Sequence, residues 1–435
     1  MGRPVNKSPE GGRTFNLMFF DIQVFVSGFL PWLHSISFLE IIGMMAVMSI
    51  DVVKNVGKPI LLGVHQLKSY HVPIHFRYNE GSGSPKVSII IPTHNESLTV
   101  RKIINSCLEN PYPNKEIIVV DDHSTDDTFK QAYPYHKRGE IKLLQRMGSK
   151  GSRASAINFG ITFATGEIMV IVDADSILER NSITEVVKYM SLPNVVAGAG
   201  DVRVISGDND VTNLLTKCQS YEYLIAFELG RRLRLMLNIL VVIPGTFSVI
   251  TKELGKKIGL YDIDTITEDF DLTLKIFKTG GKVTFIPTAV CWTYCPYTWK
   301  GWLRQRIRWS HGQIATLVKH RNIVTSRTTY KPLLILGVFD MIFMDVILLF
   351  ARIFSMVWLA INFSQNIIYI VILITLVYFV SEIIVIVTAA LFSPRKSDLR
   401  YVYLMPFIVL IYRPLYGLIR MYSYVQWLFR KEVPW

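Results

Sequence analysis

The chain has 435 residues, half of them hydrophobic, and a mean hydropathy of +0.31. That is too apolar for an ordinary soluble enzyme and predicts a mixed membrane and soluble protein. The formal net charge of +13 reads as basic residues flanking membrane spans on the cytoplasmic side. No zinc-finger or ribonucleoprotein motif accompanies it, so no nucleic-acid partner is expected.

Residues 1–14, with Arg3, Lys7 and Arg13, read as a basic tail. The apolar stretch that follows predicts an N-terminal transmembrane hairpin over 15–54, with helices near 16–33 and 36–54 turning between Pro31 and Ser35. Asp21, Glu40 and Asp51 interrupt it, so one span plus an interfacial helix is the alternative. Residues 55–85 read as a linker, basic at first and ending in Gly-Ser-Gly-Ser-Pro.

Residues 86–329 have soluble composition. Val87–Pro92, Glu116–Val120, Ile141–Leu144 and Ile168–Val172 are short apolar runs of the kind that form buried parallel strands. Amphipathic segments lie between them, such as Ser97–Leu108 and Ser152–Ala164. Strand and helix in alternation predict a doubly wound α/β sheet, here a cytosolic domain that includes an interfacial helix. Cys107, Cys218, Cys291 and Cys295 all fall in this region without a C-x-x-C pair, and are expected to be reduced and packed.

Residues 330–428 are apolar again. Ile367–Phe392 is a clear span. Pro332–Phe363 reads as one kinked span or two, and 401–428 as a span facing protein or a re-entrant pair. The basic stretch 393–400 is expected inside and the uncharged 363–366 outside. Residues 429–435 form a tail.

Four motifs carry chemistry. V-S-I-I-I-P-T-H-N-E at 87–96 and I-I-V-V-D-D-H-S-T-D-D-T at 117–128 each end a strand in polar residues. Ligands of open α/β sheets bind at that edge. Asp121 and Asp122 can accept from a base N–H or from ribose hydroxyls, or serve as helix caps, as Asp126 and Asp127 are expected to. D-A-D at 173–175 sets two carboxylates at a strand end, where they repel unless a cation lies between them. All-oxygen ligands point to Mg²⁺ or Mn²⁺. T-E-D at 267–269 offers Asp269 as a general base, with Glu268 and Asp271 as rivals and a capping box as the structural alternative. In Q-R-I-R-W at 305–309, helical spacing puts Gln305, Arg308 and Trp309 on one face. That set suits a phosphorylated, sugar-bearing ligand, although Arg and Trp also suit a helix lying at a membrane surface.

Taken together and in this order, the four motifs resemble glycosyltransferase family 2, and within it the multispan polysaccharide synthases that make cellulose, hyaluronan, chitin and poly-N-acetylglucosamine. The likeness runs from about Val87 to Gly312 and includes Ser152–Asn158, Pro244–Phe247 and Tyr261–Asp269. It implies a nucleotide-diphospho-sugar transferase (GT-A, Rossmann-like) domain with flanking transmembrane helices in the plasma membrane. Thr93, Glu96, Asp121, Asp122 and Arg153 would hold the nucleotide, usually of uridine. Asp173 and Asp175 would bind the metal, Asp269 would be the base, and Glu268, Gln305, Arg308 and Trp309 would hold diphosphate and acceptor. His123 stands where the family usually has Gly, and Arg153 where it usually has Lys.

The expected reaction is an inverting, metal-assisted transfer from a nucleotide sugar, such as a UDP-sugar, to a growing polysaccharide in the bilayer. The alternative is transfer of one sugar to a polyprenyl phosphate or other lipid. A nucleotide-binding scaffold would not need Asp269, and a transporter would need paired charges or broken helices in its spans.

Overall fold

The computed structural model describes residues 22–69, 84–147, 152–207, 210–237, 242–325, 332–393 and 395–429. The expected tail at 1–14 lies outside them, as does the expected tail at 429–435 except for Phe429. Two helices come first, α1 (Ile22–Ser35) and α2 (Phe38–Ser69). The catalytic-domain region follows as β1 (Val87–Thr93), α3 (Val100–Leu108), β2 (Lys115–Asp122), α4 (Thr128–Lys137), β3 (Lys142–Arg146), α5 (Arg153–Phe163), β4 (Ile168–Val172), β5 (Ser176–Leu178), α6 (Ser182–Met190), β6 (Val195–Gly207), α7 (Leu214–Ile225), α8 (Arg232–Met236), β7 (Phe247–Thr251), α9 (Lys252–Ile258), α10 (Glu268–Lys278), β8 (Lys282–Cys295), α11 (Trp299–Lys319) and α12 (Asn322–Thr325). The remaining helices are α13 (Pro332–Ile342), α14 (Leu348–Asn362), α15 (Ile367–Phe392), α16 (Met405–Phe407) and α17 (Arg413–Leu428).

One sheet of eight strands, ordered β3-β2-β1-β4-β7-β6-β8-β5, organises the domain. The four strands expected from the sequence form its parallel half. Every residue of β1 and β4 is buried, which is why their sequences are unbroken apolar runs. The other half departs from a doubly wound sheet. β7 is antiparallel to both β4 and β6, and β5 is antiparallel to β8. α5 lies close on the sheet because Gly160 has no side chain; a Cβ there would sit 2.8 Å from Ile90 and 2.9 Å from Val120. All four cysteines are free and buried, as expected.

In the N-terminal region, where a hairpin and then a linker are expected, two helices meet at an angle. The axes of 26–35 and 38–48 differ by 100°, so the chain turns a corner rather than doubling back. Glu40 explains the corner. Buried at 3% exposure, it accepts from Trp32 Nε1 (3.2 Å), the Ser37 amide (2.8 Å) and Asn366 Nδ2 (3.0 Å). α2 then runs on through 55–69, part of the expected linker, and buries Leu62 in a core shared with α7, α11 and α15. Among the described residues two helical stretches are long and apolar enough to cross a membrane, Ile367–Phe392 and Ser397–Leu428. The second makes 401–428 part of one helical stretch. Pro332–Asn362 is also continuous, with a π-helical turn at Phe343–Ile347.

The catalytic-domain region and the apolar helices share more than that core. Arg203 of β6 is nearly fully buried. It donates to Asp201 Oδ2 (2.7 Å), to Asp398 Oδ2 (3.3 Å) and to Glu228, whose other oxygen accepts from Arg232 (2.5 Å). Asp398 belongs to the connection between α15 and α17, so one guanidinium pins the sheet to that connection. Arg203→Leu leaves Asp201 and Glu228, both at 0% exposure, short of a cation. It is expected to cost about 3–5 kcal/mol, read as a lower melting temperature of the detergent-solubilised protein. An unchanged melting temperature would show that Arg203 does not carry this contact.

Candidate active site

The parallel register sets Thr93 beside Asp121 and Asp122 beside Arg146 at the carboxyl edge of the sheet. The loops beyond β1 and β2 are tied together. The Asn95 amide donates to Ser124 Oγ (3.0 Å), the Thr125 amide to Asn95 Oδ1 (2.8 Å), and the Glu96 amide to Thr128 Oγ1 (2.7 Å). His123 adopts φ of 60°, the left-handed region that glycine enters freely. The usual backbone shape is therefore kept with a side chain in place, at a cost of about 1–2 kcal/mol.

The four residues expected around a nucleoside play different parts. Thr93 is buried, and its hydroxyl donates to the Val120 carbonyl (3.1 Å). Glu96 accepts from the Thr99 hydroxyl (2.7 Å). Asp122 lies 3.1 Å from the Arg146 guanidinium. Asp121 is fully buried, with Gln145 Nε2 3.5 Å from Oδ2, and its Oδ1 receives no hydrogen bond among the described residues. A buried acceptor without a donor is costly, and Asp121 therefore suits a ligand that brings one.

Arg153, at the start of α5, ties the D-A-D and T-E-D motifs together. Its Nε donates to Asp173 Oδ1 (2.7 Å), its Nη1 to Glu268 Oε1 (2.7 Å) and its Nη2 to the Gly245 carbonyl (2.8 Å). The Gly245 amide in turn donates to Asp269 Oδ2 (3.0 Å), while the Phe270 amide donates to Oδ1 (2.7 Å). Gly245 thus offers its carbonyl to the cation and its amide to the carboxylate. Asp269 titrates at about 6, pushed up first by burial and then by the neighbouring Glu268 charge. The Gly245 amide and the Arg153 charge oppose that rise only in part.

Asp173 and Asp175 fit a hard cation of the Mg²⁺ or Mn²⁺ type. Both are partly exposed at the strand end, and Asp173 meets Arg153 through one oxygen, Oδ1. No group of three or more potential ligands exists among the described residues.

The Q-R-I-R-W segment lies on α11. Arg308 is exposed, while Gln305 and Trp309 are partly buried. Gln305 Oε1 is a buried acceptor without a partner among the described residues. The buried cation is Arg306, which donates to Glu222 Oε2 (2.8 Å) and lies 4.3 Å from the centre of the Trp309 ring. The Tyr412 hydroxyl also donates to Glu222 Oε2 (2.6 Å) and accepts from Trp302 Nε1 (3.0 Å).

Residues 88–259 match the sequence profile of Glycosyl transferase family 2. This segment is a glycosyltransferase family 2 domain. The chain is 29% identical over 234 residues to poly-beta-1,6-N-acetyl-D-glucosamine synthase of Staphylococcus epidermidis, covering 54% of this chain and 56% of that protein. It is 31% identical over 244 residues to the probable glycosyltransferase YdaM of Bacillus subtilis, covering 54% and 57%. The match thus spans just over half the length of either relative. The fold is similar to that of the mannosyltransferase PcManGT from Pyrobaculum calidifontis, solved with GDP-Man and Mn²⁺, with a TM-score of 0.59, 19% identity, and coverage of 90% of this chain and 100% of that one.

Within and beside the family 2 domain, sequence reasoning missed Glu222, Arg306 and Tyr412. Glu222 sits in an ordinary stretch of α7, and nothing in its spacing marks it. Arg306 was overshadowed by Arg308 two residues on. Gly245 lies within the P-G-T-F stretch singled out earlier, but its two-way role needed coordinates.

The raised Asp269 value has a consequence for stability. Its folded-state value, about 6, lies above its ordinary 3.8. The folded state therefore binds the proton more tightly than the unfolded chain. That contribution is full below about pH 4 and is lost as pH rises to about 6. Asp269→Asn, which removes the partly buried charge, is expected to melt at a higher temperature than the parent at pH 8, with the advantage shrinking or reversing at pH 4.5. Paired thermal melts at the two pH values check this.

Proposed function

We propose that the protein transfers a sugar from a nucleotide donor, a UDP-sugar, to the hydroxyl of a growing polysaccharide at the membrane. The observation that carries the reading is Asp269: a partly buried carboxyl pushed up to about 6, oriented by two backbone amides and linked through Gly245 and Arg153 to Asp173. A carboxyl of that value is a competent base at neutral pH. The likeness to poly-N-acetylglucosamine synthases supports a polymer as acceptor. The two apolar helical stretches support a membrane location, and the basic stretch 393–400 supports a domain on the cytosolic side.

Asp121 takes a donor hydrogen from the nucleoside, and Thr93, Glu96 and Asp122 shape the edge around it. Arg153 faces the diphosphate. Asp173 and Asp175 would hold a divalent cation, which would supply neutralisation of charge on the departing nucleoside diphosphate. The acceptor oxygen attacks the anomeric carbon from the face opposite the diphosphate. The new C–O bond forms as the old one breaks, the electron pair leaves with the diphosphate, and the hydroxyl proton passes to Asp269. The anomeric configuration inverts. Gln305, Arg308 and Trp309 hold the acceptor end, with Arg306 fixing Trp309 from behind.

The pH profile tests the base. Asp269 must be ionised to accept a proton, so kcat/KM is expected to rise tenfold per pH unit below about 6 and to level off above it. Asp269→Asn is expected to lose at least about a hundredfold in rate with donor affinity kept within a few-fold. Wild-type turnover by that variant sinks the assignment. A chelator is expected to stop transfer, with Mg²⁺ or Mn²⁺ restoring it. Product sizing on a gel separates a polymer from a single-sugar lipid.

A further inference from the structure

Glu222 has no role in the scheme above, yet three elements meet on one of its oxygens. Glu222 belongs to α7. Its Oε2 accepts from Arg306 Nη2 of α11 (2.8 Å) and from the Tyr412 hydroxyl of the last helical stretch (2.6 Å). Trp302 Nε1 donates to the same Tyr412 hydroxyl (3.0 Å). Arg306 is fully buried, and Glu222 is the one acid that bonds it among the described residues. Arg306 Nε and Nη1 have no hydrogen-bond partner among the described residues. Aromatic rings stand around the cation instead. Its guanidinium carbon lies 4.3 Å from the centre of the Trp309 ring, 5.4 Å from that of Tyr416 and 5.8 Å from that of Trp302. Ring faces attract a desolvated guanidinium, but they carry no net charge. Glu222 supplies the charge that keeps the cation buried, because a buried ion that loses its partner is strongly destabilised. Arg306 and Trp309 are three residues apart on one helix and so lie on adjoining turns of the same face. The acid on α7 thus governs where Arg306 lies, and Arg306 lies against Trp309.

We propose that Glu222 is a positioning residue for the acceptor: it holds Arg306 against Trp309 and so fixes the ring on which the acceptor sugar rests. The acceptor role rests on the reading of Trp309 given above; the contact between Glu222, Arg306 and Trp309 does not. Because Tyr412 shares the same Glu222 oxygen, the last helical stretch is tied to that ring as well.

The test uses the full chain in lipid nanodiscs, labelled with 5-fluorotryptophan and read by fluorine NMR. The chain has eight tryptophans, and the Trp309 line is the one that disappears in Trp309→Phe. Glu222→Gln keeps the shape and removes the charge. It is expected to move or broaden the Trp309 line by more than the parent linewidth. The lines of Trp32 and Trp358, which pack in a separate core, are expected to stay in place and show that the variant is folded. Glu222→Asp, which keeps the charge on a shorter arm, is expected to fall in between. Tyr412→Phe removes one of the two bonds to Oε2 and spares the ion pair; it is expected to give a smaller shift, and it carries the test if Glu222→Gln does not fold. Titrating an oligomer of β-1,6-linked N-acetylglucosamine against the Trp309 line then reads the acceptor side. Glu222→Gln is expected to weaken that affinity about three- to tenfold, the scale of one desolvated cation–π contact, with the affinity for UDP in the presence of Mn²⁺ kept within twofold. A Trp309 line unmoved in folded Glu222→Gln and Tyr412→Phe overturns the proposal, and so does a moved line with parent affinity for the oligomer. An oligomer that leaves the parent Trp309 line untouched overturns the acceptor reading of Trp309 instead, and with it the acceptor role of Glu222, while the spectrum without oligomer still decides whether Glu222 holds the ring.

Discussion

The site depends on one electrostatic constraint: carboxylates from distant parts of the sequence must crowd together without driving one another apart. Asp173 leaves the end of β4, while Glu268 and Asp269 open α10, nearly a hundred residues later. Arg153 resolves the repulsion by bonding Asp173, Glu268 and the Gly245 carbonyl at once. The neutralisation is deliberately incomplete at Asp269, which takes amide hydrogens rather than a direct ion pair. Its proton affinity is therefore set by burial and by Glu268, not by a bound cation. A direct Arg153–Asp269 pair would lower that affinity and weaken the base. Three acceptors in different directions need the spread of a guanidinium, and a single ammonium reaches them less well.

The same logic holds the catalytic domain against the apolar helices. Arg203 draws acids from the sheet, the π-helical turn and the 396–404 connection to one buried point. Arg306, Glu222 and Tyr412 do so between α11, α7 and the last helical stretch. Each cluster is surrounded by apolar packing, and each joins elements more than eighty residues apart. Buried charge in these places fixes register: an apolar interface alone would tolerate sliding between helices, whereas a saturated guanidinium does not.

The legible part of the fold was the part with simple periodicity. β1, β2 and β4 are buried on both faces or nearly so, and their sequences say it in apolar runs, while the edge strand β3 has no buried residue and was legible from its short apolar run and the strand-helix alternation. β6 and β8 hid themselves because their sequences are mixed. β6 carries Asp201 and Arg203 in its interior, and the two strands pair with several shifts in register. The N-terminal corner was unreadable for a similar reason. Glu40 looks like an interruption of a span until Trp32, Ser37 and Asn366 are seen to satisfy it. At the site, motif order picked out Asp173, Asp175, Asp269 and Arg153, all of which lie at the strand and helix ends that flank one edge of the sheet. It could not separate Arg306 from Arg308, because two residues' difference on a helix decides burial and no spacing rule says which side faces in.

The helix that carries Trp309 also bears on the base. Gly312, one turn beyond Trp309 on α11, lies so close to α10 that a Cβ there would meet Thr267 Cγ2 at 2.3 Å. Thr316, a further turn along, shares a hydrogen bond with Thr267 (3.0 Å), and His320 closes the series on Asp271 Oδ1 (2.8 Å). Thr267 immediately precedes Glu268 and Asp269. The helix that carries Gln305, Arg308 and Trp309 and the helix that carries Asp269 are thus locked together at three successive turns. At its other end α11 is fastened through Trp302 and Arg306 to Tyr412 and Glu222. Any shift of the last helical stretch along its axis must pass through α11 before it reaches the site, and it arrives there at Thr267. Asp269 is therefore positioned by the apolar helices as much as by the sheet, which gives a physical reason for the α/β domain and the apolar helices to be built as one packed unit.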